Sequence, residues 1–165
     1  MAGRAPKLRS AARSPGSLRF AVVAARFNEH ITQKLVAGAL QALRAAGLGP
    51  DAIEVHWVPG SFELPQAAAH LAATNRYAAM VCLGVVIRGQ TPHFDFVAGQ
   101  AAAGIQRVGL ETGVPTTFGV VTALTEAQAW DRAGGEVSNH REEAAEAALE
   151  MAEFVARVAK RGKTP

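Results

Sequence analysis

The sequence predicts an α/β domain built on a four-stranded parallel sheet with helices on both faces. Two observations carry this reading. Short apolar runs rich in Val and Ile alternate strictly with longer segments of helical period. The runs at residues 18–25 and 80–87 are apolar nearly throughout rather than at every second position, which suits strands covered on both faces. Right-handed crossovers then join successive strands.

Phe20, Val22 and Val23 mark the first strand, over residues 18–25. Arg26-Phe27-Asn28 follows as a loop. Val36, Leu40 and Leu43 recur at helical spacing and predict a helix over 31–46, which Gly47 and Gly49-Pro50 end. The second strand is 53–58. Pro59-Gly60 turns, and a helix over 62–74 tolerates Pro65 in its first turn. The third strand is 78–87. Arg88-Gly89-Gln90 bends the chain into a long helix over 91–112, with Thr91 as its N-cap and Pro92 at its first helical position. Gly113 closes that helix, Pro115 opens a strand that runs to Val121, and helices over 126–133 and 142–161 complete the chain.

At 165 residues, nearly half of them hydrophobic, the chain is one domain with a real core. Residues 1–17 form a flexible basic arm, and residues 18–160 form the domain. No apolar run approaches the ~18 residues of a membrane helix. The formal charge of +3 is set by the ends: Arg4, Lys7, Arg9, Arg13, Lys160, Arg161 and Lys163 lie there. Without these seven, ten basic residues face fourteen acidic ones, a net charge of −4. Nucleic acid and membrane are therefore poor partners. Cys82, alone in the chain, lies in an apolar strand and reads as a small buried hydrophobe in a reducing, cytoplasmic setting.

In open parallel sheets, ligands bind beyond the carboxyl ends of the strands. Chemistry should therefore collect at residues 26–28, 59–63, 88–93 and 122–125. Phe27 offers a face for a flat heterocycle, and serves equally as a lid over the core. Glu63 suits a polyol or amine, and equally a helix start. His93 falls in a first helical turn, beside free N–H donors that favour an anion and a positive dipole end that disfavours a charged ring. It reads as a proton carrier or as a packing residue with equal force. No dinucleotide or nucleotide phosphate loop, nucleophile elbow or zinc spacing is present, so cofactor-free proton transfer and positioning is the economical chemistry. A flavodoxin-like electron carrier would need a phosphate loop after the first strand, where Arg26-Phe27-Asn28-Glu29 has an acid and no glycine.

The loops resemble one family. The matching blocks are Arg26-Phe27-Asn28, Val58-Pro59-Gly60-Ser61-Phe62-Glu63-Leu64-Pro65, and the run from Leu83 through Arg88-Gly89-Gln90-Thr91-Pro92-His93 to Asp95. Phe118-Gly119-Val120-Val121-Thr122, the stretch from Glu126 to Gly134 and the segment from Glu143 to Met151 follow in order. Together they are similar to 6,7-dimethyl-8-ribityllumazine synthase, of riboflavin biosynthesis.

The resemblance implies a flavodoxin-like three-layer sandwich and a cofactor-free, metal-free transferase. It condenses 5-amino-6-(D-ribitylamino)uracil with L-3,4-dihydroxy-2-butanone 4-phosphate, releasing phosphate and water. By residue match, Phe27 stacks on the pyrimidine, and Ser61, Phe62 and Glu63 hold the ribityl chain and ring edge. Val85, Val86 and Ile87 present backbone groups, Gln90 and Thr91 take the phosphorylated substrate, and His93 shuttles protons. Phe118 and Arg132 reach in from a neighbouring subunit, which implies a homo-oligomer built on pentamers. Glu136 and His140 depart from the family pattern where positive charge is usual, with Arg141 adjacent. Ser61 stands where Ala is usual. The alternative of another class is a ligand-binding or shell-forming paralogue of the same fold without turnover; the intact His93 and Arg132 argue against it.

Overall fold

A computed structural model of the chain describes residues 18–134 and 140–161. The basic arm of residues 1–17 and Glu136 lie outside the described residues, as do the side chains of His140 and Arg141.

Four strands form one sheet in the order β2-β1-β3-β4, all parallel. They are β1 (Phe20–Ala25), β2 (Ile53–Val58), β3 (Ala79–Ile87) and β4 (Thr116–Ala123). The helices are α1 (Glu29–Ala45), α2 (Leu64–Ala72), α3 (His93–Thr112), α4 (Glu126–Gly134) and α5 (His140–Arg161). This is the predicted three-layer α/β sandwich of flavodoxin-like type.

Alternate residues of the buried strands feed two cores. Val22, Ala24, Val81, Leu83, Val85 and Val121 pack under α1, α4 and α5 with Ile31, Leu35, Leu43, Ala129 and Ala148. Ala21, Val23, Met80, Cys82, Val86 and Val120 pack under α2 and α3 with Leu64, Ala68, Ile105 and Val108. β1 and the body of β3 are buried on both faces, which is why their sequences carry no polar alternation. Small residues let helices approach closely: a Cβ on Gly104 of α3 would stand 2.6 Å from the Pro65 ring of α2. Cys82 is fully buried, and burial pushes its thiol up to about 12, so it behaves as an inert hydrophobe.

Several boundaries differ from expectation. Ser61–Glu63 forms a separate 3-10 turn ahead of α2, and Pro50–Ala52 forms another. β4 continues through Thr122 and Ala123, since these pair with Val86 and Ile87 of the longer β3. Thr91 does not cap α3. The N-cap is Pro92 (φ −69°, ψ 8°), which accepts from the Asp95 N–H at 3.0 Å, and no side chain bonds the helix start. Gly113, in the left-handed region at φ 72°, does close α3.

At the amino ends of the strands, Glu54 anchors an ion cluster. It accepts from Arg19 at 2.9 Å, from Arg76 at 2.6 Å and from the Tyr77 hydroxyl, with His56 at 3.5 Å. The Tyr77 hydrogen bond, and then the Arg76 and Arg19 charges, hold the Glu54 carboxyl below the usual range against the opposing pull of burial. Burial and then Glu54 push the Tyr77 phenol up. The cluster ties the starts of β1, β2 and β3 together at the end of the sheet opposite the loops predicted to carry chemistry.

Candidate active site

β3 is the longest strand, and its last β1 partner is at Leu83, whereas β4 accompanies it to Ile87. The end of β3 therefore projects past β1 and forms the floor of a cleft of about 680 Å³. Phe27, Ser61, Phe62, Glu63, Val85, Val86, Ile87, Thr91 and His93 all line it. Nine of the twelve residues singled out from the sequence thus meet in one place.

Each wall has a local cause. Phe27 follows β1 and is 72% exposed, its backbone N–H bonded to Pro59 O at 3.0 Å. A large aromatic held out of the core on a pinned backbone leaves a ring face open to the cleft. Phe62 stands beside it at 57% exposure, with Phe96 of α3 also in the wall. Ser61 is buried, and its Oγ presses on β3: a Cβ at Gly84 would stand 2.4 Å from it. The Glu63 carboxylate folds back over Gly60, with Oε2 3.2 Å from where a Cβ there would lie. A Cβ at Gly84 would thus meet the 61–63 turn head on, whereas at Gly60 only the flexible Glu63 carboxylate stands near.

Val85 and Val86 both line the cleft while sending their side chains into opposite cores, Val86 toward the side that carries Phe94 and Val97. His93, exposed, is the first residue of α3, one step nearer the helix start than a Thr91 cap would have put it. No side chain caps α3, and Thr91 and His93 both line the cleft at that helix start, the kind of place that suits an anion. Gln90 lies in the same exposed bend but outside the lining.

Phe118 and Arg132 lie elsewhere. They line a second cleft of about 370 Å³ with Thr122 and Glu143, and the two clefts share no lining residue. Arg132 Nη1 donates to Thr122 O at 2.7 Å. Sequence reasoning missed Phe94, Phe96 and Val97 as lining residues. The signal was their place in the first turns of α3, where Phe96 is left exposed while Phe94 and Val97 also pack against the core under α2 and α3. Arg88, at the mouth, lies 5.9 Å from the Phe94 ring centroid in a cation–π contact. Among the described residues no three His, Cys, Asp or Glu side chains gather as a metal site, and no helix is long and apolar enough to cross a membrane.

Compared with known families, residues 17–156 match the family model described as 6,7-dimethyl-8-ribityllumazine synthase.

Proposed function

From the premise that the chain belongs to the 6,7-dimethyl-8-ribityllumazine synthase family, we propose that it joins 5-amino-6-(D-ribitylamino)uracil to L-3,4-dihydroxy-2-butanone 4-phosphate. The products are 6,7-dimethyl-8-ribityllumazine, phosphate and water. The observation that supports this most is the gathering of Phe27, Phe62, Glu63, the β3 end and His93 around one open cleft.

Phe27 stacks on the pyrimidine, and the main chain of residues 85–87 bonds its edge. Ser61, Phe62 and Glu63 hold the ribityl chain. The phosphorylated ketone lies at the start of α3, on Gln90, Thr91 and the free N–H groups. The 5-amino group adds to the ketone, and loss of water gives a Schiff base. Phosphate then leaves, and attack by the ribityl-bearing nitrogen, with loss of a second water, closes the ring. His93 takes a proton from the substrate and returns it as these bonds change. Fixing two reactive partners side by side contributes beside proton transfer.

Phe118 and Arg132 complete a neighbour's cleft, so the working unit is a homo-oligomer built on pentamers. The domain is residues 18–160, the arm is 1–17, and the setting is cytoplasmic. The test is to mix the two substrates with the protein while measuring lumazine, phosphate and particle mass together. Stoichiometric release of both products by a particle of five or more chains is expected. Absence of either product, or full activity in a monomer, overturns the reading.

A further inference from the structure

Asn28 stands at the N-cap of α1, where a side chain of its type normally bonds the helix start. It makes no such bond. Its backbone is in the left-handed region at φ 61°, and its Nδ2 donates to Val85 O at 3.0 Å, 57 residues away. The helix start is instead fastened by the Asn28 carbonyl, which accepts from the Ile31 and Thr32 N–H groups at 3.0 Å each. The side chain has been diverted from its ordinary local task to the floor of the cleft.

The sheet explains the diversion. The Met80 and Arg88 N–H groups donate to Pro115 and Ala123 of the β4 side, so even-numbered residues of β3 face β4 and odd-numbered ones face β1. β1 ends at Ala25, and the chain then swings toward β2, with Arg26 and Phe27 donating to Val58 and Pro59. The main chain has left the place opposite Val85 O. The Asn28 amide fills it, and Ile87 faces the same way one repeat further on.

We propose that Asn28 is a positioning residue of this site. Its amide ties the Phe27 loop to the β3 end, so that the aromatic face and the Ile87 backbone groups are held at one spacing for a flat, hydrogen-bonding heterocycle. With Val85 O already holding the Asn28 amide, the ring edge draws mainly on the rest of the 85–87 main chain, Ile87 foremost. The inference rests on the proposed function for its ligand, the pyrimidine substrate, and on the geometry for its mechanism.

Two variants separate side chain from backbone. Asn28→Gly keeps the left-handed turn and loses the amide. Asn28→Asp keeps the shape and sets a carboxylate against the Val85 carbonyl. Each is compared with the wild-type assembly at matched concentration, by steady-state kinetics on both substrates, by mass, and by calorimetric titration with the ribitylaminouracil, which needs no turnover. Loss of one hydrogen bond predicts a roughly three- to tenfold weaker pyrimidine affinity and higher pyrimidine KM for Asn28→Gly. Asn28→Asp should equal or exceed that. The KM for the phosphorylated ketone should stay put and the mass should not change. Unchanged pyrimidine affinity in both variants, or a parallel rise of both KM values with loss of the assembly, overturns the inference. A wild-type protein that binds the pyrimidine without forming lumazine would sink the proposed reaction and leave this contrast measurable by titration.

Discussion

Gly84→Ala tests the packing of the site against β3. The added Cβ would stand 2.4 Å from Ser61 Oγ, and 3.4 Å from both Ala25 Cβ and Leu64 Cδ1. The last two distances are ordinary van der Waals contact, so the whole conflict is with Ser61. That hydroxyl must move by about 1 Å in a buried place, which puts the cost at ~1–3 kcal/mol of overpacking. At this chain length that corresponds to a fall in Tm of roughly 2–4 °C per kcal/mol, read at fixed protein concentration because association shifts Tm. The displaced 61–63 turn carries Phe62 and Glu63, so pyrimidine KM should rise as well. The diagnostic is the double mutant. Ser61 Oγ has no hydrogen-bond partner within the described residues, so Ser61→Ala alone should cost little stability. In the Ser61→Ala background Gly84→Ala should be nearly neutral, a coupling of ~1–3 kcal/mol. Additive losses would refute the reasoning, since they would place the conflict with something other than the Ser61 hydroxyl.

Phe27→Ala should weaken pyrimidine binding by ~1 kcal/mol or more while leaving the ketone phosphate alone, and equal effects on both KM values would make the ring a core residue. Arg132→Ala should raise the KM of the phosphorylated substrate and weaken inhibition by inorganic phosphate; an unchanged inhibition constant removes Arg132 from the phosphate. His93→Ala should lower single-turnover rates by roughly tenfold or more without abolishing them, with both substrates bound and the particle intact; a wild-type rate returns His93 to a packing role. Glu54 has a depressed folded-state pKa, so its contribution to stability is complete above the unfolded value of ~4.3 and is lost as pH falls through the folded one. Glu54→Gln should therefore flatten the acid limb of a stability-against-pH curve, and an unaltered limb would show that other carboxylates set it.

The strands were legible because burial on both faces writes itself into composition. β2 runs over the residues expected of it, and β3 differs by one residue at its start. What escaped was set by pairing and turn geometry rather than by local pattern. Thr122 and Ala123 look like loop until Val86 and Ile87 extend them as strand. Thr91-Pro92 reads as a cap followed by a first helical residue, yet Pro92 itself ends the turn and hands that place to His93. The site loops were legible from polar and aromatic residues at strand ends, and the grouping of Phe27 with the 61–63 turn and β3 followed from topology. The Asn28–Val85 hydrogen bond was not legible: an Asn ahead of a helix predicts a cap, and only the divergence of β1 from β3 gives its side chain another partner.

The placing of Arg132 bears on where activity resides. Ala123 O accepts from Arg88, so Thr122, its neighbour in β4, directs its carbonyl to the open edge of the sheet, and the Arg132 guanidinium is fastened there. Among the described residues one of its five N–H donors is spent on that carbonyl, and under the proposed reaction the others would supply a bidentate grip on phosphate. Such an anchor fixes the arginine before substrate arrives, which lowers the ordering cost of binding. Yet the cleft it serves within its own chain shares no lining residue with the one that holds His93. Under the proposed reaction, the proton carrier and the phosphate-binding arginine come together between chains. Dilution below the dissociation constant of the assembly should then abolish turnover while each chain keeps its fold, a sharper demand on the mechanism than any single substitution.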